Sequence, residues 1–212
     1  KYYHSTCFGL MKIQIIQDRG FSLVEVLVAI TILLLVISGP MRILTSSTNS
    51  TTYSSEQVVA YFLAQEGLEL VQLGRDNLVL GDFKDIINGQ SIEPNPWARF
   101  QTNFSQCISG ICGIIPTNSV QMYSLTNCAT ISNCRLYLNT SQPTNRARYT
   151  HTAAGNSQTP YTRTIRIAMI TASNGRIQGA VATSTVTWRT GSLVTDQQVE
   201  LVTYLSNVYD TQ

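Results

Sequence analysis

Apolar positions crowd into one run near the beginning of the chain, and the rhythm then changes twice. Residues 21–41 (FSLVEVLVAITILLLVISGPM) are 21 positions with a single charge, Glu25. A helix needs roughly 20 such residues to cross a bilayer, and no second stretch approaches this composition. The run predicts one membrane-spanning helix over 21–44. Residues 45–55 (TSSTNSTTYSS) are Ser, Thr or Asn at every position but Tyr53. These are weak helix formers, and they predict a frayed stem or a flexible neck. Helical spacing returns at Glu56, where Val59, Phe62, Leu63, Leu70 and Leu73 recur with Glu56, Gln57, Gln65 and Glu69 elsewhere on the wheel. The spacing predicts an amphipathic helix over 56–73, ended by Gly74.

Residues 81–96 read as a loop, with Gly89, Pro94 and Pro96, and after Trp97 the pattern reads as strand and turn. Ile165, Ile167 and Met169 alternate with polar residues, as do Val186 with Trp188 and Val199, Leu201 with Leu205. Period two means strands with one buried face. Asn174-Gly175 is a two-residue hairpin signal, and Gly191-Ser192 predicts the next turn. The last fifty or so residues therefore predict a three-strand antiparallel meander whose apolar face packs on the helix near Leu63 and Leu70. The expected fold is α+β: a long N-terminal helix, membrane-spanning in its first half and amphipathic in its second, packed on an antiparallel β-meander head. The expected organisation is 1–20 leader, 21–44 transmembrane helix, 45–75 stem and amphipathic helix, and 76–212 β-rich head.

Charge adds orientation. Lys12 and Arg19 precede the apolar run, so the positive-inside rule puts the N-terminus in the cytoplasm and the head outside, although Arg42 flanks the other end. Residues 1–10 (KYYHSTCFGL) match no pattern, and Met11 makes the better start; the first ten residues are read as a spurious upstream extension or a truncated gene assignment. Charged residues are 12% of the chain, about half the usual share, with Ser, Thr, Asn and Gln in their place, which suits a surface or secreted protein.

The junction before the run reads Asp18-Arg19-Gly20-Phe21-Ser22-Leu23-Val24-Glu25. An ordinary signal peptide is cut after its apolar stretch, but here that stretch ends in Val36-Ile37-Ser38-Gly39-Pro40, a poor cut site. The arrangement instead resembles the prepilin motif of the type IV pilin and pseudopilin family: a short basic leader, then Gly, then Phe, with Glu at the fifth mature position. The resemblance covers residues 11–40. It implies cleavage between Gly20 and Phe21 by a prepilin peptidase, methylation of the new Phe21 amine, and assembly with other pilin subunits by an inner-membrane platform. It also implies a single-pass, N-in protein of the inner membrane, in contact with lipid, that ends in an extracellular pilus or pseudopilus. Glu25 is the implied assembly residue, pairing with the Phe21 amine of a neighbour. A carboxylate inside a spanning helix is costly and wants such a partner. Pro40 removes a helix hydrogen bond and predicts a kink, or else plain termination at the membrane exit. The string Leu63-Ala64-Gln65-Glu66-Gly67-Leu68-Glu69 also resembles the second half of a minor pilin helix. A minor subunit is favoured because the head is long and irregular.

Of five cysteines, Cys7 falls in or before the leader. Cys107, Cys112, Cys128 and Cys134 remain, an even number that suggests disulfides outside the cytoplasm. Three pairings are open. The local one, Cys107 with Cys112 and Cys128 with Cys134, is favoured because each pair brackets a short turn-rich loop, and a four-thiolate zinc site is the competing reading. Residues 45–93 carry a net charge of −5, while residues 94–195 hold eight arginines and no acid. Arg135, Arg146, Arg148, Arg163, Arg166 and Arg176 are candidate anion-binding residues. They serve either assembly against acidic stems or a polyanion such as DNA at an adhesive or DNA-binding tip. No phosphate loop, dinucleotide fingerprint, nucleophile elbow or zinc-protease motif is present in the chain. His151 reads as a surface residue without catalytic partners, and Asp82 with Asp85 is too little for a calcium loop. The expectation is a structural protein with no catalytic residue, metal or cofactor. A membrane-tethered enzyme is the remote alternative.

Overall fold

The computed structural model describes residues 20, 22–89, 96–118, 122–140, 148–189 and 195–207, without the side chains of 82, 83, 85 and 86. Arg146, the Gly191-Ser192 turn, Cys7, Phe21 and the leader before Gly20 lie outside them. The chain divides into two units, Lys1–Asn49 and Ser50–Gln212.

In the first unit every described residue is exposed and, from Leu23 on, helical. These residues open α1 (Leu23–Ile87), which holds the one stretch among the described residues apolar and long enough to cross a membrane, with a mean hydropathy of 2.5. Pro40 lies inside α1, which continues on both sides of it.

The helix also runs through residues 45–55, where a frayed stem was expected. Thr45 and Thr48 donate their hydroxyls back to the carbonyls of Met41 and Leu44, each at 2.9 Å. Such back-bonding lets a Thr sit inside a helix without competing for backbone groups elsewhere.

In the second unit α1 presents Ala60, Leu63, Ala64, Leu68, Leu70 and Val71 to the core, all buried. It does not stop at Gly74 but runs on to Ile87. Gly74 is a contact point, not a cap. A Cβ there would come within 2.6 Å of the Phe104 ring and 3.0 Å of Tyr123. The loop expected over 81–96 is thus helical in its first part, and the chain turns at Gly89, whose φ of +72° suits glycine.

Two short helices follow where strand was expected, α2 (Pro96–Asn103) and α3 (Ser105–Ser109). Pro96 opens α2, the position where its missing N–H costs least. Trp97, Phe100 and Phe104 stack in sequence onto Tyr123, with ring centroids 5.2, 4.7 and 5.2 Å apart.

Among the described residues the rest is one antiparallel sheet of seven strands: β1 (Cys112–Pro116), β2 (Tyr123–Asn127), β3 (Arg135–Asn139), β4 (Arg148–Thr150), β5 (Ser157–Thr171), β6 (Ile177–Trp188) and β7 (Gln197–Ser206). A 3-10 turn, Ile131–Cys134, leads into β3. Strands β5, β6 and β7 form the expected meander, with Ile165 opposite Ser184 and Ser184 opposite Leu201. Gly175 has a φ of +83° and closes the first hairpin. On its other edge β5 is shared by two hairpins, β3–β4 against its start and β1–β2 against its middle. The apolar residues of the meander face α1 as the alternation predicts: Ile165, Ile167, Val186, Trp188 and Leu205 are all buried. The protein is α+β, a long N-terminal helix packed on an antiparallel sheet.

Candidate functional site

The N-terminal junction is simple in shape. Gly20 and Ser22 precede α1 and are exposed, and the Val26 N–H donates to the Ser22 carbonyl at 3.1 Å to start the helix. Nothing among the described residues lies within 4 Å of where a Gly20 side chain would begin. Internal packing therefore places no demand on glycine there. Glu25 stands in the first turn of α1, where the helix dipole favours an acid. It is exposed in this single chain.

The second functional element fixes the amphipathic half of α1 to the sheet. Arg163 lies on β5 among residues facing the helix and is fully buried. Its guanidinium donates to the Leu63 carbonyl at 2.9 Å, to the Ile114 carbonyl and to the Glu66 carboxylate. One side chain thereby joins α1, β1 and β5. Burial pushes its pKa down while Glu66 pushes it back up. Gly67 makes the arrangement possible. A Cβ at that position would come within 2.8 Å of Ser184 Oγ, 2.9 Å of Ile165 Cδ1 and 3.2 Å of Arg163 Cδ.

Arg163 is thus a correction to the candidate anion-binding set: it has no access to a surface ligand. The remaining candidates among the described residues are dispersed. Arg166 is exposed on the opposite face of β5 from Arg163. Arg148 on β4 donates to Asn118 Oδ1 at 2.7 Å, Arg176 lies in the β5–β6 turn, and Arg135 begins β3.

The structure pairs Cys107 with Cys112 and Cys128 with Cys134, with Cα atoms 4.8 and 5.6 Å apart. His151 is not the open surface residue expected. It is partly buried, and its Nδ1 lies 3.1 Å from the Arg135 carbonyl. A carbonyl only accepts, so Nδ1 carries the proton and Nε2 is bare. Nε2 is then an acceptor, buried beside Gly113 with no donor among the described residues. Burial is the main reason that the His151 pKa is lowered, with the Arg163 charge adding to it against the Arg135 hydrogen bond.

Reading by residue type missed the Glu66–Arg163 pair, whose members are 97 positions apart. Its only trace was an arginine in phase with Ile165 and Ile167, where an apolar residue belongs. The helices α2 and α3 had a clearer signal, since Trp97, Phe100, Phe104 and Cys107 recur at helical spacing.

Compared with known proteins, residues 17–39 match the prokaryotic N-terminal methylation motif, the signature of type IV pilins and pseudopilins. No curated protein sequence and no solved structure matches the chain. The motif supports a type IV pilin-like or pseudopilin subunit and implies processing by a prepilin peptidase and assembly with other pilins. With the apolar start of α1 it fits membrane anchoring and a pilus.

Proposed function

We propose that the chain is a structural subunit, a minor pilin or pseudopilin, of a type IV pilus-like or type II secretion-like filament. It is made with its N-terminus in the cytoplasm and its head outside, cut after Gly20, methylated on the Phe21 amine, and drawn from the inner membrane by an assembly platform. The observation that carries this reading is the methylation motif at 17–39, which runs from the leader across the cut into the apolar half of α1. The exposed Gly20, with no contact among the described residues that requires a glycine, supports recognition by an outside enzyme.

In this reading Glu25 serves assembly. It lies near the membrane surface, where a neighbour's Phe21 amine can dock against it, and an unmatched buried charge penalises misaligned docking. The head contributes shape and surface, not catalysis. Mass spectrometry of the protein from its native membrane is the test. A mature chain beginning at methylated Phe21 is expected, whereas an intact leader or a cut beyond Ser38 overturns the proposal.

A further inference from the structure

The start of β5 behaves unlike the rest of the strand. Its pairing with β6 begins at Thr162, opposite Thr187. Before that point β5 follows β3 alone, and the register jumps: Arg135 faces Thr162, but Tyr137 faces Gln158. Pro160 sits inside this irregular stretch, and a proline is tolerated there because the position needs no ladder donor. Strand β6 runs on to Trp188 without a β5 partner at its last residue. Where the two strands part, a trough of about 590 Å³ opens, within the range of small-ligand sites.

The walls of the trough are polar and rich in donors. Arg135, Gln158, Thr162 and Trp188 line it, and Arg189 with Asp196 closes one side through bonds of 2.9 and 2.8 Å. Asp196 therefore neutralises Arg189. Arg135 makes no ion pair among the described residues and leaves the trough cationic. The lining hydroxyls and the Gln158 amide can both donate and accept, which suits a ligand with several hydroxyls. The unpaired guanidinium suits a carboxylate.

We propose that this trough is a binding site for a carboxylate-bearing saccharide, with Arg135 taking the carboxylate. A volume of about 590 Å³ fits one or two sugar rings and is too small to take in a nucleic acid duplex. A simple anion would occupy the cation and leave the hydroxyl-bearing walls unused. The proposal stands apart from the filament reading, because binding needs neither cleavage nor assembly.

Calorimetric titration of the full chain in mild detergent tests it, with a glucuronic acid-terminated disaccharide as the probe. The neutral disaccharide ending in glucose, sodium acetate and a short DNA duplex are the comparisons. The acidic disaccharide is expected to bind at least tenfold more tightly than the neutral sugar and acetate. Arg135→Gln should weaken binding about tenfold or more, as the loss of a charge-assisted contact does. Arg166→Gln, on β5 outside the trough, should leave it unchanged. Equal binding of acetate makes the trough a plain anion site and overturns the proposal. Equal binding of the neutral sugar, displacement of the probe by DNA, or no binding by the unmutated chain overturns it too.

Discussion

The Glu66–Arg163 pair predicts unequal consequences for its two halves. Arg163 is fully buried, while the Glu66 side chain is 37% exposed. Glu66→Gln removes the counter-charge and leaves a buried cation with neutral acceptors only, the carbonyls of Leu63 and Ile114 and the new amide oxygen. Stripping one partner from a fully buried pair costs about 3–5 kcal/mol. Solvent already screens Glu66, which reduces the figure to about 1–3 kcal/mol. For a unit of this size that corresponds to a melting temperature lower by roughly 3–10 °C.

Arg163→Met removes the buried charge itself. Glu66 can then hydrate, and the main loss is the donor to Ile114, worth about 1 kcal/mol. The double variant should therefore resemble Arg163→Met, because Glu66→Gln no longer strands a charge. Denaturation of all four proteins in mild detergent, followed by tryptophan fluorescence, gives the coupling energy. Strict additivity, meaning a coupling below about 0.5 kcal/mol, would refute the claim that Glu66 compensates Arg163.

Three further outcomes are expected. Gly74→Ala should destabilise by about 1–3 kcal/mol in the same denaturation assay, because overpacking against Phe104 outweighs the better helix propensity of Ala. Stability should fall as pH drops below about 6.5, since folded His151 resists a proton that the unfolded chain accepts; the Arg135 carbonyl and the Arg163 guanidinium are the groups that face it. That loss should shrink in His151→Gln, and an unchanged pH profile in the variant would assign it to other groups. Glu25→Leu should be inserted and cut normally yet drop out of sheared filament fractions; incorporation at the level of the unmutated chain would remove Glu25 as an assembly residue.

The parts of this fold readable from sequence are those set by neighbours along the chain. The methylation motif, the apolar run of α1, the alternation in β5 to β7 and the Asn174-Gly175 turn each need only a few adjacent residues. The Cys107–Cys112 and Cys128–Cys134 pairs are equally local. What was misread depends on distant partners. Gly74 carries the usual mark of a helix end, but Phe104 and Tyr123 make it a point of close approach. Arg163 looks like a surface charge until Glu66 and two carbonyls are placed around it. The trough at Trp188 could not be foreseen, because it arises from a register jump between β3 and β5.

Distance along the chain also becomes delay in time. Arg163 bonds to Leu63 across 100 residues, and at ribosomal rates of about 5–20 residues per second Leu63 is made about 5–20 s before its partner on the sheet. During that interval Val186 and Trp188, which pack in the cluster with Leu63, do not yet exist. Neither disulfide can shorten the wait, because each closes within six residues of chain or fewer and ties no strand to the helix. The stripe of α1 that ends up most protected is the one a nascent chain leaves bare the longest.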